Sequence, residues 1–180
     1  MIDVPNNAHG FSLRPYSLDD CAELAHIAND RRISQWMSAR FPYPYALADA
    51  ETFIRHTMND EPRNHFLIEV DGAVAGGLGV TPHAGEILGV AEFGYWLAPP
   101  YWGRGIMTQA ARVFARVALR ERGLRRLEAH VFSINVASMR VLEKCGFTKE
   151  ALLKERYIDR DGIIFDAILY AKLASEVDSI

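Results

Sequence analysis

The stretch "YWLAPPYWGRGIMTQAARVFARVALRERG", residues 95–123, runs a strand into two prolines and then sets an arginine between two glycines before a long helical pattern. Flexible, side-chain-poor backbone at the mouth of a helix has few uses. A dinucleotide fingerprint G-x-G-x-x-G starting at Gly103 needs a third small residue where Thr108 stands. A P-loop needs glycine at that same position and lysine in place of Gln109. Both motifs fail, but the physics they share survives. The first turn of a helix presents N–H groups with no intrahelical acceptor at the positive end of its dipole, which suits an anion. Gly103 and Gly105 would let main chain approach a phosphate, and Arg104 would add a charge. The plain alternative is that the glycines only turn the chain after Pro99 and Pro100. On this stretch alone both readings stand.

The chain around it has 180 residues, the length of one domain, and one domain is expected over 1–180. Its composition is 49% hydrophobic and 24% charged, as in an ordinary folded protein. A net charge of -3 argues against a general nucleic-acid binder. "MIDVPNNAHGFSL" carries an acid and a proline where a signal peptide has an apolar core. No apolar run reaches membrane-span length, so no membrane role and a cytoplasmic location are expected. The two cysteines, Cys21 and Cys145, form no C-x-x-C pair, and the six histidines show no metal-binding spacing. No metal is expected.

"FSLRPY" predicts a first strand. Ser17, with Asp20 three residues on, reads as a capping box before an amphipathic helix. Residues 31–45 read as a short helix and loop, and "ALADAETFIRHTMND" as a helix with Ala50, Phe53, Ile54 and Thr57 on one side. "HFLIEV", "DG" and "AVAGGLGV" predict a hairpin. "VAEFGYWLA" is the next strand. The helix after "WGRG" places Ile106, Ala110, Val113, Phe114 and Val117 on one stripe, with Arg112, Arg116 and Arg120 on a solvated face. "RRLEAHVF", "VASMRVLEKC", "FTKEALLKERYI" and "IIFDAILYAKL" continue as strand, helix, strand and strand. This is a mixed-sheet α/β domain.

Two residues sit oddly for purely structural roles. Ser138 shares a helical face with Val141, Leu142 and Cys145, so its hydroxyl points into an apolar stripe and needs a partner. That partner is either the carbonyl of Ile134 or a ligand. Along "VAEFGYWL", Glu92 lies with Val90, Gly94 and Trp96 on one face of a strand apolar on both sides. A semi-buried carboxylate there could serve as a base or as half of a structural pair. Asn135 is a good N-cap for the helix that carries Ser138.

"FGYWLAPPYWGRGIMTQA" and "NVASMRVLEKCGF" together, in this order, resemble the GNAT acetyltransferase superfamily, and within it the RimJ/RimL-like N-terminal acetyltransferases. "DGIIFDAILYAKL" looks like the family's last strand, so the resemblance spans essentially the whole chain. It implies a GNAT-type twisted mixed β-sheet with splayed central strands, flanked by helices. Acetyl-CoA, the co-substrate, would lie in the splay with its pantetheine on Trp96 and Leu97. Its pyrophosphate would rest on Gly103, Arg104, Gly105, Ile106, Met107 and Thr108. Asn135 would contact the cofactor arm, and Ser138 would protonate the departing thiolate. Pro100 stands where the superfamily often has Gln or Arg. Some RimL-type members carry a carboxylate base on the strand after the second motif, where this chain offers Glu155 or Tyr157. Glu92 is the expected base, with those two as alternatives.

The implied reaction is direct attack of an amine on the thioester. An α-amine with a pKa near 8 is roughly one-tenth neutral at pH 7, whereas a lysine is well under a thousandth neutral. The modest base therefore favours a protein or peptide N-terminus as acceptor. The alternatives are a small-molecule N-acetyltransferase for a polyamine, amino sugar or antibiotic, and a non-catalytic acyl-CoA-binding module. Residues 31–45 are expected to line the acceptor side, although their aromatics fit a core as well. Monomer and homodimer are both open.

Overall fold

Asp71 and Gly72 both take left-handed backbone, φ 52° and 80°, and close a two-residue hairpin between paired Val70 and Ala73. A D-G dipeptide adopts that turn because its twist matches the flanking strands. The computed structural model describes every residue except positions 3, 5, 6, 8 and 178–180. Its strands are β1 (Phe11–Arg14), β2 (His65–Val70), β3 (Ala73–Pro82), β4 (Val90–Leu97), β5 (Arg126–Phe132), β6 (Thr148–Ile158) and β7 (Ile164–Leu173). They form a seven-stranded sheet in the order β1-β2-β3-β4-β5-β7-β6. The pair β4–β5 is parallel, while β1–β2, β2–β3, β5–β7 and β6–β7 are antiparallel. The helices are α1 (Cys21–Ala28), α2 (Arg31–Ser34), α3 (Leu47–Met58), α4 (Ile106–Glu121) and α5 (Val136–Lys144). The mixed α/β sheet expected from the sequence is present.

The chain divides into two compact units. The first comprises Met1–Gly79 and Tyr95–Ala110. Its core holds Tyr16, Leu24, Ala28, Tyr45, Ala50, Ile54, Leu67 and Val74, with Phe41, Phe53 and Trp96 packed against it. Burying each of the larger aliphatic side chains stabilises the unit by about 2 kcal/mol. Residues 31–45 thus divide: Tyr45 belongs to this core, while Phe41 lies between the rings of Tyr45 and Trp96, at 5.0 and 5.8 Å.

The second unit comprises Val80–Gly94 and Ala111–Ile180. Alternation along β4 sends Phe93 inward, where it stacks on Phe114 at 6.2 Å and Phe147 at 5.5 Å. Leu127, Leu142 and Cys145 are buried here too. Burial pushes the Cys145 thiol up to about 11, so it acts as an inert apolar group.

The buried stripe of α4 is broader than its hydropathy predicts. Ile106, Ala110 and Phe114 are buried as expected, but so are Met107, Ala111, Ala115, Ala118 and Leu119, while Val113 and Val117 lie at the rim. Alanine carries too little apolar surface to mark a stripe by hydropathy. Arg112, Arg116 and Arg120 are exposed, as predicted.

The predicted capping box forms. Asp19 N–H reaches the Ser17 hydroxyl, and Ser17 N–H donates to Asp20 at 2.7 Å. Asp20 also takes a two-pronged bond from Arg14, at 2.8 and 2.9 Å, while Arg14 Nε bonds Glu69 on β2 at 2.5 Å. Burial opposes the Asp20 charge, yet the Arg14 bonds, the Ser17 N–H and the Arg14 charge hold its carboxyl below the ordinary range. A depressed folded pKa gives stability that is present above the unfolded value and lost as pH falls through the folded one. Asp20→Asn should therefore cost about 2 kcal/mol in urea unfolding at pH 7. The loss should begin to shrink as pH falls past the ordinary aspartate value, about 3.9, and vanish only below the lower value of the folded carboxyl. A difference that does not change with pH would contradict this role.

Candidate active site

The residues expected at the site fall in both units. In the first, β4 ends at Leu97 and the Ala98 N–H bonds Ala75 O at 2.8 Å. The trans peptide then turns Leu97 C=O the other way, where it accepts the Trp102 indole N–H at 2.6 Å. One of the main-chain groups expected to meet the cofactor arm is thus already engaged by a side chain. A short 3-10 turn, Pro99–Tyr101, holds Pro100, and Gly103 and Gly105 follow at φ 72° and 77°. Both are left-handed, the conformation that side-chain-bearing residues resist.

The first bond into the helix, Gln109 N–H to Gly105 O at 3.1 Å, marks where α4 begins. The loop backbone is exposed at Gly103, Arg104 and Gly105, while Ile106 and Met107 are buried and anchor it. Thr108 is half-buried. The Arg104 guanidinium lies 5.6 Å from the centroid of the Tyr101 ring, which keeps its charge at the loop. Nothing stands within 4 Å of where a Cβ on Gly103 would go, so a ligand can meet bare main chain there. An accessible glycine loop, a cation and the start of a sixteen-residue helix suit a pyrophosphate. The His9 ring lies against Gly105, its Nε2 3.1 Å from where a Cβ would stand. Sequence reading missed this histidine, because nothing in its local pattern marks it.

In the second unit, Glu92 stands on β4 in register with Glu128 on β5, and its side chain is 34% exposed. Strand alternation puts Arg126, Glu128 and His130 on one face of β5. Arg126 takes Glu128 at 2.7 Å and grips Glu150 of β6 at 2.5 and 2.9 Å. The Arg126 bond and charge outweigh burial and hold the Glu150 carboxyl below its ordinary range. Glu92 instead faces His130, with Oε1 3.9 Å from Nδ1. Sequence reading passed over His130; only the β4–β5 register brings it to Glu92.

Asn135 caps α5 as predicted, its Oδ1 accepting the Ser138 N–H at 3.1 Å. Ser138 is half-buried in the first turn, on the face that also carries buried Leu142 and Cys145. Of the two alternative bases, Tyr157 packs on Phe132 with ring centroids 5.4 Å apart. Glu155 is exposed at φ 50°, within an irregular stretch of β6, and its N–H is bound by Asp166 at 2.8 Å.

Among the described residues, no group of three or more His, Cys, Asp or Glu could hold a metal. Among the same residues, no helix is long and apolar enough to cross a membrane.

The chain is similar to YdaF of Bacillus subtilis (strain 168), provisionally named a ribosomal N-acetyltransferase, at 29% identity over 91% of this chain and 90% of that one. It is similar to the spermidine N(1)-acetyltransferase of Escherichia coli (strain K12) at 24% identity, over 84% and 80% of the two chains. Two further Bacillus subtilis relatives match over shorter stretches, spanning 38% and 45% of their own lengths. Among solved structures, Mycobacterium smegmatis RimJ in complex with CoA-disulfide superposes with a TM-score of 0.82. It is 28% identical, over 94% of this chain and 84% of that one. The family model described as an acetyltransferase (GNAT) domain matches residues 11–148, and the chain belongs to that family.

Proposed function

We propose that the protein moves an acetyl group from acetyl-CoA to the α-amine of a protein or peptide N-terminus, as one acyltransferase domain over residues 1–180 working in the cytoplasm. The observation that carries this is the accessible pair of left-handed glycines, Gly103 and Gly105, opening directly into α4. Main-chain N–H groups of residues 103–108 hold the pyrophosphate, the Arg104 charge assists, and main-chain groups at the end of β4, other than the Leu97 carbonyl, align the cofactor arm. Acetyl-CoA supplies an activated thioester.

Glu92 takes the proton that keeps the acceptor an ammonium. The amine nitrogen then bonds to the acetyl carbon as the carbon–sulfur bond breaks. Ser138 gives its hydroxyl proton to the leaving thiolate and is restored by the proton that the new amide nitrogen sheds, and the positive end of α5 favours the thiolate's charge. Asn135 holds that first turn in place and has its amide N–H groups for the cofactor arm.

The α-amine reading rests on the likeness to YdaF and on chemistry: an α-amine needs little help to lose its proton, and Glu92 is half-exposed. The likeness to a spermidine acetyltransferase supports a polyamine as the second reading. Exposed Arg31, Arg32 and Arg40, in the segment expected to line the acceptor side, disfavour a polycation.

Two measurements test this reading. A Cβ at Gly103 meets no neighbour and the left-handed backbone costs it only about 1 kcal/mol, so Gly103→Ala should stay folded while isothermal calorimetry shows acetyl-CoA affinity falling about tenfold or more. Full affinity in a folded variant would remove the loop from cofactor binding. Glu92→Gln should lower kcat/KM about a hundredfold near pH 7 for a peptide with a free N-terminal Ser, and recover in part above pH 8. A pH profile identical to wild type would take Glu92 out of the mechanism.

A further inference from the structure

His130 carries a buried ring nitrogen, Nδ1, that makes no hydrogen bond. Such an atom costs stability, and a role in catalysis is one reason for a fold to keep it. The Glu92 carboxylate lies 3.9 Å away, beyond hydrogen-bond reach but well inside the range where charges interact. The other charged groups on this face are Arg126 and Glu128 of β5 and Glu150 of β6, already joined in one ion-paired cluster. On β7, the residues in register with His130 and Glu128 are apolar Leu169 and Ala171. Glu92 is therefore the carboxylate that His130 faces.

We propose that His130 holds the proton that Glu92 removes from the acceptor. This rests on the reading of Glu92 as the base. The ammonium passes a proton to the Glu92 carboxylate, and the carboxyl passes it to the lone pair of neutral His130 Nδ1. The amine is left neutral, Glu92 is again a carboxylate, and the imidazolium beside it is stabilised by that charge. Water removes the proton after transfer. No other reactant is needed.

Ordinary acidities show why the second carrier helps. Imidazoles as a class bind a proton more tightly than carboxylates, so a relay ending on a ring nitrogen runs less steeply uphill from an ammonium. A second acceptor 3.9 Å away lets Glu92 pass the proton on instead of holding it. His130 acts through Glu92 and positions its proton.

Two measurements on the full chain decide this. In ¹H–¹⁵N spectra of the imidazoles followed against pH, with His130→Asn identifying the resonance, Glu92→Gln should make His130 Nδ1 take up its proton only at lower pH. The other histidines should titrate as before. An unchanged His130 titration overturns the pairing, and this needs no turnover. In kinetics, His130→Asn should lower kcat/KM about tenfold near pH 7, with the loss closing above pH 8 and the KM for acetyl-CoA unchanged. If His130→Asn runs parallel to wild type while Glu92→Gln shifts the profile, the relay is wrong and the base stands. If both variants keep the wild-type profile, the base reading falls and the relay with it.

Discussion

Backbone N–H and C=O groups must find partners, and the parallel register between β4 and β5 runs only from Val90↔Arg126 to Glu92↔Glu128. Along its other edge β5 stays paired with β7 as far as Phe132↔Ala167. The far end of β4 keeps its hold on β3, through Ala98 N–H and Ala75 O, and turns Leu97 C=O outward. Trp102 satisfies that carbonyl from within the chain. Under the proposed function, the amides of a pantetheine arm serve the neighbouring groups. The glycine loop follows directly, where the strand has ended and the helix has not yet closed its first turn.

The same break in pairing arranges the charges. On the polar face, Arg126 answers both Glu128 and Glu150. Glu92 sits at the boundary, opposite Glu128 in register but facing the imidazole of His130. An ion-paired carboxylate is a poor base because its charge is already compensated. In the proposed mechanism, Arg126 engages Glu128 and Glu150, and the proton chemistry falls to Glu92 beside His130. Its half-exposed side chain gives an amine a way in.

What could be read from the sequence was what depends on neighbours along the chain. The Ser17–Asp20 box, the Asp71–Gly72 turn and the Asn135 cap are local, and each formed as expected. The two glycine-bearing motifs were enough to indicate the family. The misses have a common cause. His130 became a partner of Glu92 only through the pairing of strands some thirty-five residues apart, and His9 came to Gly105 from the far end of the chain. Neither contact leaves a periodicity. The engagement of Leu97 C=O by the Trp102 indole also depends on the path of a turn that hydropathy does not describe. On α4, the alanines that let the helix pack closely are too small to outweigh Val113 and Val117 in a hydrophobic stripe.

The central claim, transfer of an acetyl group to an α-amine, can be tested by following the atoms. The protein is incubated with ¹³C-acetyl-CoA, an equimolar peptide bearing both a free N-terminal Ser and an internal Lys, and spermidine as competitor. Tandem mass spectrometry then locates the label. The account predicts one labelled acetyl group on the N-terminal nitrogen, absent when the protein is omitted. Label on the lysine side chain or on spermidine, with the peptide N-terminus unmodified, would contradict it.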